Sequence, residues 1–174
     1  LSDPNLVEYV RRVIHENNIN PKTLVLELTE NMIMENVDSA RETLAQLQGL
    51  GAQLHMDDFG TGYSSLSLLH SFPLDGLKID RSFVMNLSSC RQYSAMVHAV
   101  VSLAQNMNML VVAEGIEEES HLTQLQAMDC DTGQGYFFSK PMPVSAAEQY
   151  IKQCSEQGQC YSLAMDEKPE NNAA

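Results

Sequence analysis

Basic side chains are scarce in this chain: 10 Lys and Arg stand against 23 Asp and Glu, a formal charge of -13, and nowhere do they gather into a long stripe. The fold as a whole therefore does not attract nucleic acid polymers or an anionic membrane. A cation held by clustered carboxylates would still reverse the sign locally, so small phosphorylated ligands remain open. Zinc-type spacing is also missing. Cys90, Cys130, Cys154 and Cys160 contain no CxxC pair, and none of His15, His55, His70, His98 and His121 completes a metal motif. Reduced, structural cysteines fit a cytoplasmic protein. No apolar run reaches membrane-spanning length, and LSDPNLVEYVRR lacks the basic, apolar, small order of a signal peptide. The expectation is a cytoplasmic segment with no direct membrane insertion, whose parent could still be tethered through regions outside it. There is no internal sequence repeat. A chain of 174 residues suffices for one domain with a substantial core but is short for a complete large barrel.

What is present is a regular alternation. LVEYVRRVI carries apolar residues at helical spacing up to Asn20-Pro21, and VDSARETLAQLQGLG does the same up to Gly49 and Gly51. TLVLELTE, AQLHMDD, GLKID, MLVVAEG and QGYFF read as strands, separated by helical segments around YSSLSLLHSF, QYSAMVHAVVSLAQNM and EEESHLTQLQAM, with SAAEQYIKQC closing the series. Five strands alternating with helices call for a parallel α/β architecture. Residues 1–156 form the expected domain; residues 157–174, polar and aperiodic, read as a linker or tail.

HMDDFGTGYSSL poses the chemical question. Two adjacent carboxylates end an apolar strand, and alternation would send Asp57 and Asp58 to opposite faces unless the chain turns there. Three more strand ends are charged: Glu27 and Glu30 in ELTE, Lys78 and Asp80 in KID, Glu114 and Glu117 in AEGIE. In a parallel barrel the C-terminal strand ends converge on one face, so these groups would share a pocket. Carboxylates packed together repel unless a cation relieves them, and an oxygen-only set suits Mg²⁺ or Mn²⁺ rather than zinc. Two such ions, roughly 3.5–4 Å apart, would polarise a phosphodiester and hold its attacking water and leaving oxygen. Lys78 would position or deprotonate that water, or neutralise a phosphoryl oxygen. The FGTGYSSL stretch offers two glycines for a movable path and hydroxyl donors for the second carboxylate or a ligand.

ELTE, DDFGTGYSSL, LKIDRSFV, VVAEGIE and QGYFFSKP follow one another in the order that resembles the EAL phosphodiesterase domain, a TIM-like (β/α)8 barrel that hydrolyses cyclic di-GMP. The resemblance implies metal ligation by Glu27, Asp57, Asp58 and Glu114, with Asp57 bridging two Mg²⁺ or Mn²⁺ ions, and makes Lys78 the water-activating lysine. It makes Asp80 a metal-water or substrate contact, Glu30 the anchor of the segment after Asp58, and Glu117 and Gln134 the completion of the substrate-side pocket. Lys140 stands where the family often has arginine and lacks the planar fork for bidentate recognition. The resemblance places the start of the chain after the EAL-signature glutamate and a metal-binding asparagine, so about three of the eight barrel strands are expected to lie outside it. Activity is expected of the complete domain, with linear pGpG as product. The alternative is a catalytically silent cyclic di-GMP sensor or protein-interaction module. The resemblance also admits a homodimer through an apolar patch of Leu66, Leu68, Leu69 and Phe72, and fusion to a regulatory or GGDEF domain.

Competing structural readings stand beside these. Asp57 and Asp58 could be a cap or turn pair, Lys78 a solvated strand-edge residue, Glu30 and Glu117 local braces, and Gln134 a partner for a buried backbone group. His55 reads as a rim residue. The patch residues could instead pack against their own sheet.

Overall fold

A computed structural model describes residue 1, residues 3–60 and residues 66–157, without the side chains of 66–68 and 155–157. Strands β1 (Val25–Thr29), β2 (Gln53–Phe59), β3 (Gly76–Ile79), β4 (Leu110–Glu114) and β5 (Thr132–Gln134) form one parallel sheet in the order β1-β2-β3-β4-β5. Helices α1 (Leu6–Glu16), α2 (Glu30–Met34), α3 (Val37–Gly49), α4 (Leu66–Ser71), α5 (Arg81–Val84), α6 (Arg91–Asn106), α7 (Glu119–Ala127) and α8 (Val144–Gln157) complete it. Each strand pairs in parallel with the next in sequence, with helices between them, which is the succession of a (β/α)8 barrel. No helix among the described residues is long and apolar enough to cross a membrane.

Strand alternation divides the sheet into two faces. Leu28, Leu54, Met56, Leu77, Ile79, Val111 and Ala113 are buried in one core with Leu44 and Leu47 of α3, Val97, Val101 and Ala104 of α6, and Leu125 of α7. Fully burying each of the Leu, Ile, Val and Met side chains among them contributes roughly 1.5–3 kcal/mol. The register places Glu27 beside His55, Thr29 beside Asp57, Lys78 beside Val112 and Glu114 beside Gln134 on the opposite face. That face also carries Val25 and Leu110, both 38% exposed although apolar. Acidic side chains tie the strand starts: Leu54 N–H donates to Asp75 (2.9 Å), and Val111 N–H to Asp131 (2.8 Å).

The expected elements are present, with four corrections. QGYFF is not a strand: β5 ends at Gln134, and the following residues turn, with Phe137 N–H donating to Ile116 O (2.9 Å) and Phe138 N–H to Gly135 O (3.1 Å). Those bonds bind the chain to the segment after β4 instead of continuing the ladder. The short helices α2 and α5 directly after β1 and β3 were not expected from periodicity. Leu69 and Phe72 are 2% and 5% exposed, packed into the chain's own core, so they form no outward patch; the side chains of Leu66 and Leu68 lie outside the described residues. His55 is buried at 5% exposure, not at a rim. Thr61, Gly62, Tyr63, Ser64 and Ser65 of the FGTGYSSL stretch, and residues 158–174 of the expected tail, lie outside the described residues.

Candidate active site

The two aspartates reach one site because β2 is bulged where they stand. Met56 pairs with Leu77 and Phe59 with Ile79, so Asp57 and Asp58 together oppose Lys78 alone. Asp58 has φ 54°, in the left-handed region that few side chains adopt. Asp58 N–H donates to Asp57 Oδ1 (3.0 Å). The local reversal cancels the alternation, and carboxylate oxygens of Asp57, Asp58 and Glu114 come within 4.8 Å of one another.

Lys78 is the centre of the arrangement. It is 4% exposed, and its Nζ donates to Glu114 Oε1 (2.6 Å), Glu27 Oε2 (2.7 Å) and Asp57 Oδ1 (3.0 Å). An ammonium has three N–H donors, and three carboxylates from three strands take them. Burial pushes the Lys78 ammonium toward deprotonation, but hydrogen bonds to Glu114, Glu27 and Asp57 outweigh it and hold the group above the ordinary lysine range. The reading of Lys78 as a solvated edge residue is excluded by its burial. Glu27 is joined to the cluster through Lys78 and does not belong to the mutually close set of Asp57, Asp58 and Glu114.

The other expected residues surround this core in different ways. Gln134 Nε2 donates to Glu114 Oε1 (2.8 Å), so that oxygen also serves Lys78. Asp80 is the N-cap of α5, its Oδ1 accepting from Ser82 N–H (3.0 Å) and from Ser82 Oγ. Glu117 pairs with Arg81 Nη2 at 2.8 Å. Glu30 opens α2 immediately after β1. Lys140 is exposed, with Nζ 5.8 Å from the Tyr136 ring centroid. A cleft of about 570 Å³ begins at Glu114 and Gln134 and is walled by Arg81, Tyr136, Lys140 and Tyr150. Arg81, Tyr136 and Tyr150 were not singled out from sequence. Arg81 had a usable signal, a cation immediately after a charged strand end.

An all-oxygen set of three carboxylates, adjoined by a fourth through Lys78, fits a hard divalent cation and offers no soft ligand. What the arrangement can do chemically is hold such a cation beside a fixed ammonium, at the mouth of a cleft walled by Arg81 and Lys140 and by the rings of Tyr136 and Tyr150.

Known proteins share this fold and order of residues. Residues 1–141 match the EAL domain model. The chain is 40% identical over 152 residues to the cyclic di-GMP phosphodiesterase NbdA of Pseudomonas aeruginosa, covering 87% of this chain and 19% of that protein. It is 39% identical over 152 residues to the cyclic di-GMP phosphodiesterase PdeR of Escherichia coli, covering 87% and 23%. It superimposes on the EAL domain of Mycobacterium smegmatis DcpA with TM-score 0.84 at 38% identity (88% of this chain, 69% of that one). With the PaMucR phosphodiesterase in complex with c-di-GMP the score is 0.80 at 37% identity (84% and 59%). The manganese and cyclic di-GMP complex of Klebsiella pneumoniae BlrP1 gives 0.75 at 32% identity (80% and 36%). The chain thus spans about a fifth of the two curated relatives named. With the domain model matched over residues 1–141, the chain belongs to the EAL domain family.

Proposed function

We propose that this chain forms the catalytic portion of a divalent-metal-dependent phosphodiesterase that hydrolyses cyclic di-GMP to linear pGpG. The observation that carries the reading is the buried Lys78 ammonium held by Glu27, Asp57 and Glu114 from three strands, beside a bulge that brings Asp58 to the same place. A silent binding module has no comparable use for a buried cation ringed by carboxylates, whose desolvation costs several kcal/mol per ion before pairing returns it. Support for the substrate comes from relatives named as cyclic di-GMP phosphodiesterases and from the c-di-GMP complexes of PaMucR and BlrP1.

Asp57, Asp58, Glu114 and Glu27 would hold Mg²⁺ or Mn²⁺, two ions in the complete site. When bound, these ions supply Lewis acidity toward the phosphodiester and its attacking water. Hydrolysis forms one bond from the water oxygen to phosphorus and breaks the bond from phosphorus to a ribose 3′-oxygen; one water proton ends on that oxygen and a 5′-phosphate remains. Lys78, its three N–H groups held by Glu27, Asp57 and Glu114, keeps a fixed positive charge beside the site that counters charge developing on the phosphoryl oxygens. Gln134 orients Glu114. Arg81 and Lys140 supply positive charge along the cleft, and Tyr136 a face for a guanine ring. Glu117 holds Arg81 at the cleft wall, and Glu30 would anchor the segment after Asp58.

The test is chromatographic detection of pGpG from cyclic di-GMP, using the intact protein that carries this chain, with Mg²⁺ or with EDTA. Asp57→Asn should abolish turnover while leaving the fold, because the amide oxygen still accepts from Lys78, Glu27 and Glu114 still pair with it, and no core packing is removed. Undiminished, metal-independent turnover by Asp57→Asn would sink the proposal.

A further inference from the structure

Two glycines next to the carboxylate cluster are each occupied from above by a side chain of the same short helix. Gly60, two residues after Asp58, has φ 97°, and Gly115, directly after Glu114, has φ 72°. A Cβ at Gly60 would stand 3.0 Å from Phe83 Cζ and 3.1 Å from Cε2; one at Gly115 would overlap Arg81 Cγ and stand 2.8 Å from Arg81 Cβ. Both residues belong to α5, which follows β3, the strand lying between β2 and β4. α5 is fixed in turn. Asp80 caps its start. Phe83 meets Tyr93 edge to face at 5.9 Å and borders a void of about 30 Å³ with Phe59, Ile79 and Val97. Arg81 donates to Glu117 (2.8 Å) and to Met85 Sδ (3.0 Å).

We infer that α5 is the spacer of the carboxylate cluster: Phe83 seated on Gly60 and the stem of Arg81 seated on Gly115 set the distance between Asp58 and Glu114, and with it the affinity for a divalent cation. The inference rests on the metal reading of Asp57, Asp58 and Glu114. Toward the metal, Phe83 and Arg81 are positioning residues, acting through their contacts over Gly60 and Gly115 and not as ligands; the charge that Arg81 offers along the cleft is a separate role. Groups that orient ligands from outside are worth roughly 10–100-fold in metal affinity. The positive φ of both glycines makes the effect local, since a Cβ at either turn would be strained and would meet the side chain seated on it.

Arg81 separates packing from charge because the two act with opposite sign. Its guanidinium is a positive charge near a cation site, so loss of charge alone would tighten cation binding, whereas loss of the stem would loosen the spacing. Mn²⁺ affinity is measured by electron paramagnetic resonance on the intact protein, with melting by circular dichroism beside it. Arg81→Met, which keeps an unbranched stem, should bind Mn²⁺ as tightly as the unsubstituted protein or more tightly. Arg81→Ala should bind roughly tenfold more weakly, at the lower end of the orienting-group range. Phe83→Ala should weaken binding similarly, and Phe83→Leu, which keeps apolar bulk over Gly60, should recover most of it. Val97→Ala enlarges the same void from α6 and should lower the melting temperature with Mn²⁺ affinity unchanged. Arg81→Ala binding as tightly as the unsubstituted protein, or Val97→Ala weakening binding as much as Phe83→Ala, would overturn the inference. Should Phe83→Ala not fold, the Arg81 pair alone decides. Absence of Mn²⁺ binding by the unsubstituted protein would overturn the metal reading and this inference together, whereas normal binding with no response to Arg81→Ala would overturn only the latter.

Discussion

Replacing Lys78 with methionine removes an ammonium and keeps most of the stem's volume, so the response isolates charge. Three carboxylates then face one another without their shared cation, where Nζ had stood 2.6, 2.7 and 3.0 Å from Glu114, Glu27 and Asp57. Removing one partner from a buried ion pair costs about 3–5 kcal/mol. Glu27, with 46% of its side chain exposed, is screened by solvent and contributes little to that figure, while Asp57 and Glu114 are 23% and 17% exposed. Relief of the lysine's own desolvation offsets part of the loss, leaving an expected destabilisation of about 2–4 kcal/mol at neutral pH without metal. The folded-state proton affinity of Lys78 is raised, so its contribution is complete below the unfolded lysine value of about 10.4 and is lost only as pH climbs through the higher folded value. The difference between the two proteins should therefore stay flat from about pH 7 to pH 10. Millimolar Mn²⁺ should return part of it, because the ion binds the folded state and supplies the missing charge. Urea unfolding with and without Mn²⁺ reads the stability, and single-turnover chromatography should show hydrolysis slowed about 10²–10⁴-fold. A Lys78→Met protein as stable as its parent without metal, and equally active, would refute the electrostatic reasoning.

Other expectations address packing and cysteine chemistry. A Cβ at Gly76 would stand 2.7 Å from His55 Cδ2 and Nε2, so Gly76→Ala should destabilise by about 1–3 kcal/mol in urea unfolding, and the His55→Ala, Gly76→Ala double variant should recover part of that; strict additivity would reject the coupling. Burial pushes the Cys130 thiol up to about 12, with Asp131 adding to the effect. Its contribution to stability is therefore present below the unfolded value of 9.0 and lost as pH rises toward 12. Mass spectrometry after brief iodoacetamide treatment at pH 8 should find Cys130 unmodified until the protein is unfolded; rapid labelling in the native state would contradict the burial argument.

Much of the sheet was legible because its strands are apolar at period two and bounded by Gly, Pro or Asn. The carboxylate site was legible for a different reason: Glu27, Asp57, Lys78 and Glu114 are charges at the ends of such strands, where burial is expensive without a purpose. What could not be read was the device that unites Asp57 with Asp58. A register shift and a φ of 54° depend on tertiary pairing with β3, and sequence could say only that a turn was needed. QGYFF misled because its aromatic residues have strand propensity, whereas their backbone bonds go to Ile116 and Gly135. α2 and α5 are too short to show a helical period. Whether Leu69 and Phe72 face outward or pack on their own sheet stayed open for want of any signal telling a covered loop helix from an exposed one, and the structure settles it for the core; His55 looked like a rim residue because sequence does not reveal that Gly76 leaves room for its ring.

The central claim is that the strand-end carboxylates form a divalent-cation site, and Mn²⁺ binding to the intact protein, followed by electron paramagnetic resonance for the parent and for Asp57→Asn, tests it most directly. Saturable binding by the parent and its loss or severe weakening in Asp57→Asn, with unchanged circular dichroism, is the result the account requires. Identical Mn²⁺ binding by the two proteins, or none by the parent, would contradict it.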